Sequence, residues 1–246
     1  ARSVLSAFAA EKYEVIQIGI TYAGEWLVSS PGHSPDVLSA LESGHTSELV
    51  PGVILPDPSL RGLFRLKPGE AGALLEWLGE LDVVFPVLHG SFGEDGTLQG
   101  LLEMAGVAYV GAGVLGSSVG MDKVLFKDVM VTHHIPVLPY TVVLRREVEN
   151  TPQEVITQVE KLGGYPFFVK PANLGSSVGI SKCRNRSDLL EGLMEACRFD
   201  RRVLVEKGIN PREIEISVLG NDAPVASVPG EVIPSREFYS YEAKYL

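Results

Sequence analysis

Hydrophobic and polar positions change rhythm along this chain, and each change marks a different predicted element. Val4, Leu5 and Phe8 recur at helical spacing and predict a helix over residues 1–11, although no capping residue precedes it. Val15 to Tyr22 alternates apolar and polar as a strand does, and Glu25 to Val28 suits a strand pairing with it. From Pro31 to Glu70 glycine, proline and serine dominate, with short apolar pieces at Val50 and Val53 to Leu55, which predicts loops and weak strands. A helix is expected over Ala71 to Leu81. The wholly apolar Val83 to Leu88 then reads as a strand buried on both faces of a parallel sheet. A helix over Thr97 to Ala105 and a short strand at Tyr109-Val110 complete a βαβ rhythm. A helix from Met121 to Thr132 stops before Pro136.

Beyond Pro136 the texture shifts. Strands are expected at Tyr140 to Leu144, Phe167 to Lys170, Val178 to Lys182, Val203 to Glu206 and Glu213 to Leu219. Helices alternate with them at Pro152 to Leu162, where Pro152 takes a first-turn position after Thr151, and at Ser187 to Cys197. The pattern predicts an α/β protein. An N-terminal open α/β domain spans residues 1–116, a small central α+β lobe 117–207, and a third region begins at 208.

Composition narrows the function classes. With 45% hydrophobic and 21% charged residues, the 246-residue chain can bury a substantial core. No apolar run approaches the ~18 to 20 residues that span a bilayer, and the start, Ala1 to Leu5, lacks the apolar segment of a signal peptide. No membrane role is expected. A net charge of −10 without a dense basic patch argues against nucleic acid as the partner. Nucleotide binding stays open, because a few lysines and backbone N–H groups suffice for it. Cys183 and Cys197 fit no metal or disulfide spacing and read as reduced thiols of a cytoplasmic protein.

The chemistry-bearing stretches are individually modest. In Phe167-Phe168-Val169-Lys170-Pro171 a strand puts Phe168 and Lys170 on one face, an aromatic surface beside a cation that suits the base and phosphate of one nucleotide. Gly175-Ser176-Ser177-Val178-Gly179 follows, a turn whose glycines let backbone approach phosphate, though it is not a P-loop and equally fits an ordinary hairpin. Glu206 and Glu213 end or follow strands, where a carboxylate can accept from an adenine amine or ribose hydroxyls, or simply face solvent. His89 to Thr97 is a glycine-rich polar turn after an apolar strand. It could position a small zwitterion, or merely feed a helix capped by Asp95 or Thr97, and no second ligand at zinc spacing accompanies His89. Phe238 to Tyr245 holds three tyrosines and Lys244, which reads either as a lid or as a surface strand. Gly-Ser-Ser-Val-Gly also occurs at Gly116–Gly120, but the flanks differ completely, so no repeat architecture is implied.

The order of these motifs is more telling than any one of them. His89-Gly-x-x-Gly-Glu-Asp-Gly-Thr, Met121-Asp122-Lys123, Val169-Lys170-Pro171 with Gly175 to Gly179, Val205-Glu206-Lys207 and Tyr241-Glu242-Ala243-Lys244-Tyr245 follow the succession of the D-alanine–D-alanine ligases, ATP-grasp enzymes, and the chain resembles that family throughout. The resemblance implies ATP and magnesium (or manganese) as cofactors, D-alanine as substrate, a homodimer, and a D-alanyl phosphate intermediate. It assigns ATP phosphates to Lys127 and Lys170, the mobile phosphate loop to Ser176 with Ser177, and the apolar wall of the adenine pocket to Phe168. Adenine contacts fall on Glu206 with the backbone of Lys207 and Ile209, and the ribose on Glu213. His89 would lie near the first D-alanine, and Lys244 with Tyr245 would close the site; with Ser176 these form the expected catalytic set. Tyr245 favours the dipeptide over D-alanyl-D-lactate, although related ligases using D-lactate or D-serine, and a purely nucleotide-binding fragment, stay as alternatives. The family's initial Ser-x-Glu element would precede Ala1, and its metal-binding Asp, Glu and Asn would follow Leu246, so the chain is expected to be part of a longer enzyme that holds no metal ligands within these residues.

Overall fold

The computed structural model describes residues 1–29, 36–69 and 72–233. Two compact units divide the chain, one built from residues 1–88 with 96–114, the other from 89–95 with the chain from 115 onward.

The first unit opens with α1 (Arg2–Leu5), a single turn with neither side-chain cap nor buried residue, rather than the longer helix expected. Without packing or capping nothing repays the cost of helix nucleation. β1 (Ile18–Ile20) and β2 (Trp26–Ser29) pair antiparallel, as their alternation implied. The Gly/Pro/Ser-rich stretch is more ordered than expected. It contains α2 (Val37–Ser43), capped by the Asp36 carboxylate, then β3 (Leu49–Ile54) and β4 (Gly62–Gly69). The larger correction concerns β5 (Gly72–Glu80), where a helix was expected. These residues form the edge of a five-stranded antiparallel sheet in chain order. Pairing with β4 along its length, the Phe64–Trp77 edge contact at 5.0 Å, and ion pairs from Arg65 and Lys67 to Glu76 override the helical propensity of Ala, Leu and Glu.

β6 (Val83–Val84), α3 (Thr97–Met104) and β7 (Ala108–Tyr109) form the βαβ unit, its strands parallel. Only the first two residues of the apolar run Val83 to Leu88 pair, and Val83, Phe85 and Val87 are exposed rather than buried on both faces. The core of this unit joins Val28, Ile54, Leu63, Leu98 and Leu102.

The second unit includes α4 (Val114–Met121) from Leu115 on, then α5 (Lys123–Thr132), with Asp122 between them capping α5. β8 (Tyr140–Leu144) leads into an unanticipated α6 (Arg145–Asn150) and then α7 (Pro152–Glu160), with Pro152 in the first turn as expected. β9 (Phe167–Pro171), β10 (Ser181–Cys183), α8 (Arg186–Phe199) and β11 (Arg202–Lys207) follow. The four strands make an antiparallel sheet in the order β10-β9-β11-β8. Alternation sorts its faces. Val143, Phe167, Val169, Cys183, Val203 and Val205 pack against α7 and α8 in a fully apolar core, with Val155, Ile156 and Leu193 among the helix contributions. Both cysteines are free and buried there, and burial pushes the Cys183 thiol up to about 12. The opposite face carries Tyr140, Phe168, Lys170, Lys182, Leu204 and Glu206.

The expected strand 213–219 is two short ones, β12 (Glu213–Glu215) and β13 (Val218–Leu219), which pair respectively with β15 (Gly230–Val232) and β14 (Val225–Ala226). No helix among the described residues is long and apolar enough to cross a membrane.

Candidate nucleotide site

The polar face of the four-stranded sheet centres on Glu206, whose residue is only 5% exposed. Its carboxylate accepts from the Lys170 ammonium on β9 through one oxygen, and from Lys127 on α5 at 2.9 Å through the other. Register explains the first contact: Glu206 lies opposite Phe168, and Lys170 opposite Leu204, so acid and lysine are diagonal neighbours on one face. Lys127 sits over the Tyr140 ring at 5.3 Å, and the Tyr140 hydroxyl donates to Asp128 at 2.7 Å. Phe168 has Lys170 and Lys182 at 5.7 and 5.9 Å from its ring centre. Burial works against ionisation of Glu206, but the two ammonium groups outweigh it and hold the carboxyl below its usual range. An aromatic wall beside clustered lysines on a buried sheet face is suited to an anion carrying a flat base.

Lys123, at the start of α5, joins this cluster. Burial, and then the charge of Lys170, lower its ammonium to about 8. In the unfolded chain it would titrate near the ordinary 10.5, so between these values the unfolded state holds more protons and stability rises with pH. Denaturant titrations from pH 8 to 10 are expected to show this rise, and Lys123→Met to flatten it; an unchanged slope in the variant would refute the shift.

The segment after β9 is held backbone to backbone. Ala172 donates to the Arg202 carbonyl at 3.0 Å and accepts from the Lys123 N–H at 2.8 Å, while the Lys123 ammonium donates to the Leu174 carbonyl. Asp122 forms an isolated bridge with Asn173, caps α5, and pairs with Arg202. Beyond this base Ser176 and Ser177 both hold left-handed backbone, φ 54° and 61°, a conformation costing L-residues about 1 kcal/mol or more each. The identical pentapeptide at Gly116–Gly120 is part of α4, so the strained form comes from surroundings and not from the five residues.

The loop 89–95 belongs to the same unit. A Cβ on Gly175 would stand 3.1 Å from the Gly90 Cα, so these two glycine turns approach as closely as backbone allows. Glu94 accepts from the Gly90 N–H and Asp95 from the Phe92 N–H at 2.9 Å, while Ser118 donates to the Asp95 carbonyl at 2.8 Å. The N-cap of α3 is neither Asp95 nor Thr97, the two residues named in the plainer of the two readings of this turn. Gly96 occupies the cap position at φ 93°, without a side-chain hydrogen bond.

Thus the structure brings together Lys127, Phe168, Lys170 and Glu206, and sets the Ser176-Ser177 turn near the His89 loop. The Lys207 side chain turns elsewhere, to the Gly164 carbonyl and the Phe167 ring, and its N–H donates to Pro139 at 3.0 Å. Ile209 is half exposed, and Glu213 sits on β12 opposite Val232, both past the end of β11. Lys244 and Tyr245 lie outside the described residues. Sequence reasoning assigned no roles to Asp122, Lys123, Tyr140, Asp200 or Arg202. The one usable signal was an aspartate directly before a helix, a capping pattern within Met121-Asp122-Lys123. Among the described residues no cluster of three or more His, Cys, Asp or Glu could hold a metal ion.

Comparison with known proteins bears on this geometry. The family model "D-ala D-ala ligase N-terminus" matches residues 1–112, and "D-ala D-ala ligase C-terminus" matches 129–246. The chain belongs to the D-alanine–D-alanine ligase family. A D-alanine–D-alanine ligase of Natranaerobius thermophilus is 49% identical over all of this chain, which spans 65% of that relative's length. Among solved structures, the VanG D-Ala:D-Ser ligase of Enterococcus faecalis superimposes with a TM-score of 0.80 at 32% identity, covering 99% of this chain and 67% of its own. The D-alanine–D-alanine ligase of Coxiella burnetii gives 0.72 at 32% identity, covering 94% of this chain and 64% of its own. The fold is therefore the ATP-grasp fold of these ligases, α/β as the strand and helix alternation implied.

Proposed function

We propose that this chain supplies the nucleotide-holding part of a ligase that joins two D-alanines at the expense of ATP. The observation that carries the reading is the single sheet face on which Glu206 gathers Lys127 and Lys170 beside Phe168 and the strained Ser176-Ser177 turn. The aromatic wall receives the base, Glu206 accepts from its amine, and the lysines it now neutralises turn to the phosphates. In the reaction a D-alanine carboxylate oxygen attacks the γ-phosphorus of ATP, and ADP leaves with the electron pair of the broken P–O bond. The amine of the second D-alanine then attacks that carbonyl, and inorganic phosphate leaves with the C–O bond pair. Positioned lysines spread the phosphoryl charge, and the serine loop excludes water from the acyl phosphate. Magnesium, or manganese, would add charge neutralisation when bound; no cluster of three or more His, Cys, Asp or Glu that could hold it occurs among the described residues.

A second reading, ligation of D-alanine to D-serine, is favoured by the likeness to a D-Ala:D-Ser ligase. Phosphate release by the full-length protein with D-alanine alone, then with D-serine or D-lactate added, separates the two. Turnover with D-alanine alone is expected. Release that requires D-serine would install the second reading, and none with any of the three acids would sink both.

A further inference from the structure

We propose that Asp200 is a positioning residue for the Gly175–Gly179 loop, a reading that rests on the nucleotide function proposed above. Asp200 ends α8 as its C-cap residue, where the helix carbonyls gather partial negative charge and a carboxylate is disfavoured. Its two oxygens are divided between the segment after β9 and the start of β11. Oδ2 accepts from the Asn173 N–H at 2.8 Å, and Oδ1 from the Arg202 N–H at 3.0 Å. One side chain thereby ties the last turn before the loop to the first residue of β11, the strand carrying Glu206.

Asn173 is exposed, so water could satisfy its N–H as well as a carboxylate does. What the aspartate adds is location. The opposite side of the same segment is fixed by Lys123, which donates to the Ala172 and Leu174 carbonyls, and by Asp122, which pairs with Arg202. Two consecutive serines in left-handed backbone persist only where their ends are over-determined, and Asp200 supplies one of those restraints. Its hydrogen bonds go to the backbone at the base of the loop and at the first residue of β11, four positions before Glu206. None reaches Phe168 or Glu206, which hold the base.

The difference gives the test. ATP and adenosine affinities of the full-length protein are measured by calorimetry for wild type, Asp200→Ala and Asp200→Asn, with amide exchange followed across Gly175–Gly179. Asp200→Ala is expected to weaken ATP about ten-fold, equivalent to about 1.4 kcal/mol, while adenosine affinity stays unchanged. Asp200→Asn is expected to fall between, since one carboxamide oxygen cannot serve both N–H groups as an acceptor pair does. Exchange should quicken at the loop and not in α7 or α8. Unchanged ATP affinity in Asp200→Ala, or ATP and adenosine weakened in step, would overturn the role. If Asp200→Ala fails to fold, Asp200→Asn decides by the same readouts, exchange that quickens uniformly counting against it. A wild type that binds adenosine as tightly as ATP would instead remove the phosphate-loop reading on which the role depends, and this outcome is visible before any variant is made.

Discussion

Replacing Lys170 by methionine is expected to lower ATP-dependent phosphate release by the full-length protein about a thousand-fold, the upper range for losing one pre-placed charge at a reaction centre. The reasoning starts from the strand. β9 directs Phe168 and Lys170 to the polar face and Phe167 and Val169 to the core, so the ammonium is rigidly placed at the cost of no loop ordering. Its present partner, Glu206, becomes the acceptor for the base's amine when nucleotide binds, and Lys170 then turns to phosphate. Methionine keeps an unbranched side chain and removes the ammonium that lies 5.7 Å from the Phe168 ring centre. Arginine is not expected to rescue, because its planar fork cannot replace a compact ammonium between that ring and the carboxylate. Measuring kcat and KM for ATP with saturating D-alanine checks this, and a variant with wild-type kcat/KM would remove Lys170 from the phosphate role.

The second large effect is on stability. Glu206→Gln is expected to lower the unfolding free energy by about 3 kcal/mol, near the low end for removing one member of a buried charge pair. The side chains of Glu206, Lys127 and Lys170 are 7%, 14% and 24% exposed, so the lysines keep some hydration when their counter-charge is lost. The sign with pH follows from the depressed folded value. Stability from the ionised carboxylate is complete above its unfolded titration near 4.3 and is lost as pH falls through the lower folded value. Wild type and Glu206→Gln should therefore differ fully at pH 7 and converge in acid below roughly pH 4. Urea unfolding at a series of pH values measures this. A constant gap down to pH 3 would show that charge is not what Glu206 contributes.

The parts of the fold that were legible share a property: their evidence is local. β8, β9 and β11 are short apolar-rich runs, and α7 and α8 have periodic faces, so each is recognisable within one window. The pairing of Phe168 with Lys170 followed from strand alternation alone. The failures depend on partners distant in sequence. Gly72 to Glu80 looks helical because Ala, Leu and Glu form helices well, but β4 supplies eight residues of partner backbone and Phe64 a partner for Trp77. Val83 to Leu88 looks doubly buried because it is apolar, yet among the described residues only Val83 and Val84 find a strand partner.

For the site the division is similar. Legible in the residues alone were the family's motif order, the face shared by Phe168 and Lys170, and a Gly-Ser turn. The sequence could not say that Glu206 joins lysines 79 and 36 positions earlier, since that contact needs β9, β11 and α5 assembled. Nor could it separate the two Gly-Ser-Ser-Val-Gly copies, one helical in α4 and the other strained beyond β9. A pentapeptide has no conformation of its own strong enough to decide. Capping by Asp122, anchoring by Lys123 and Asp200, and the close approach of Gly90 decide it, and each of these is a contact that exists only in three dimensions.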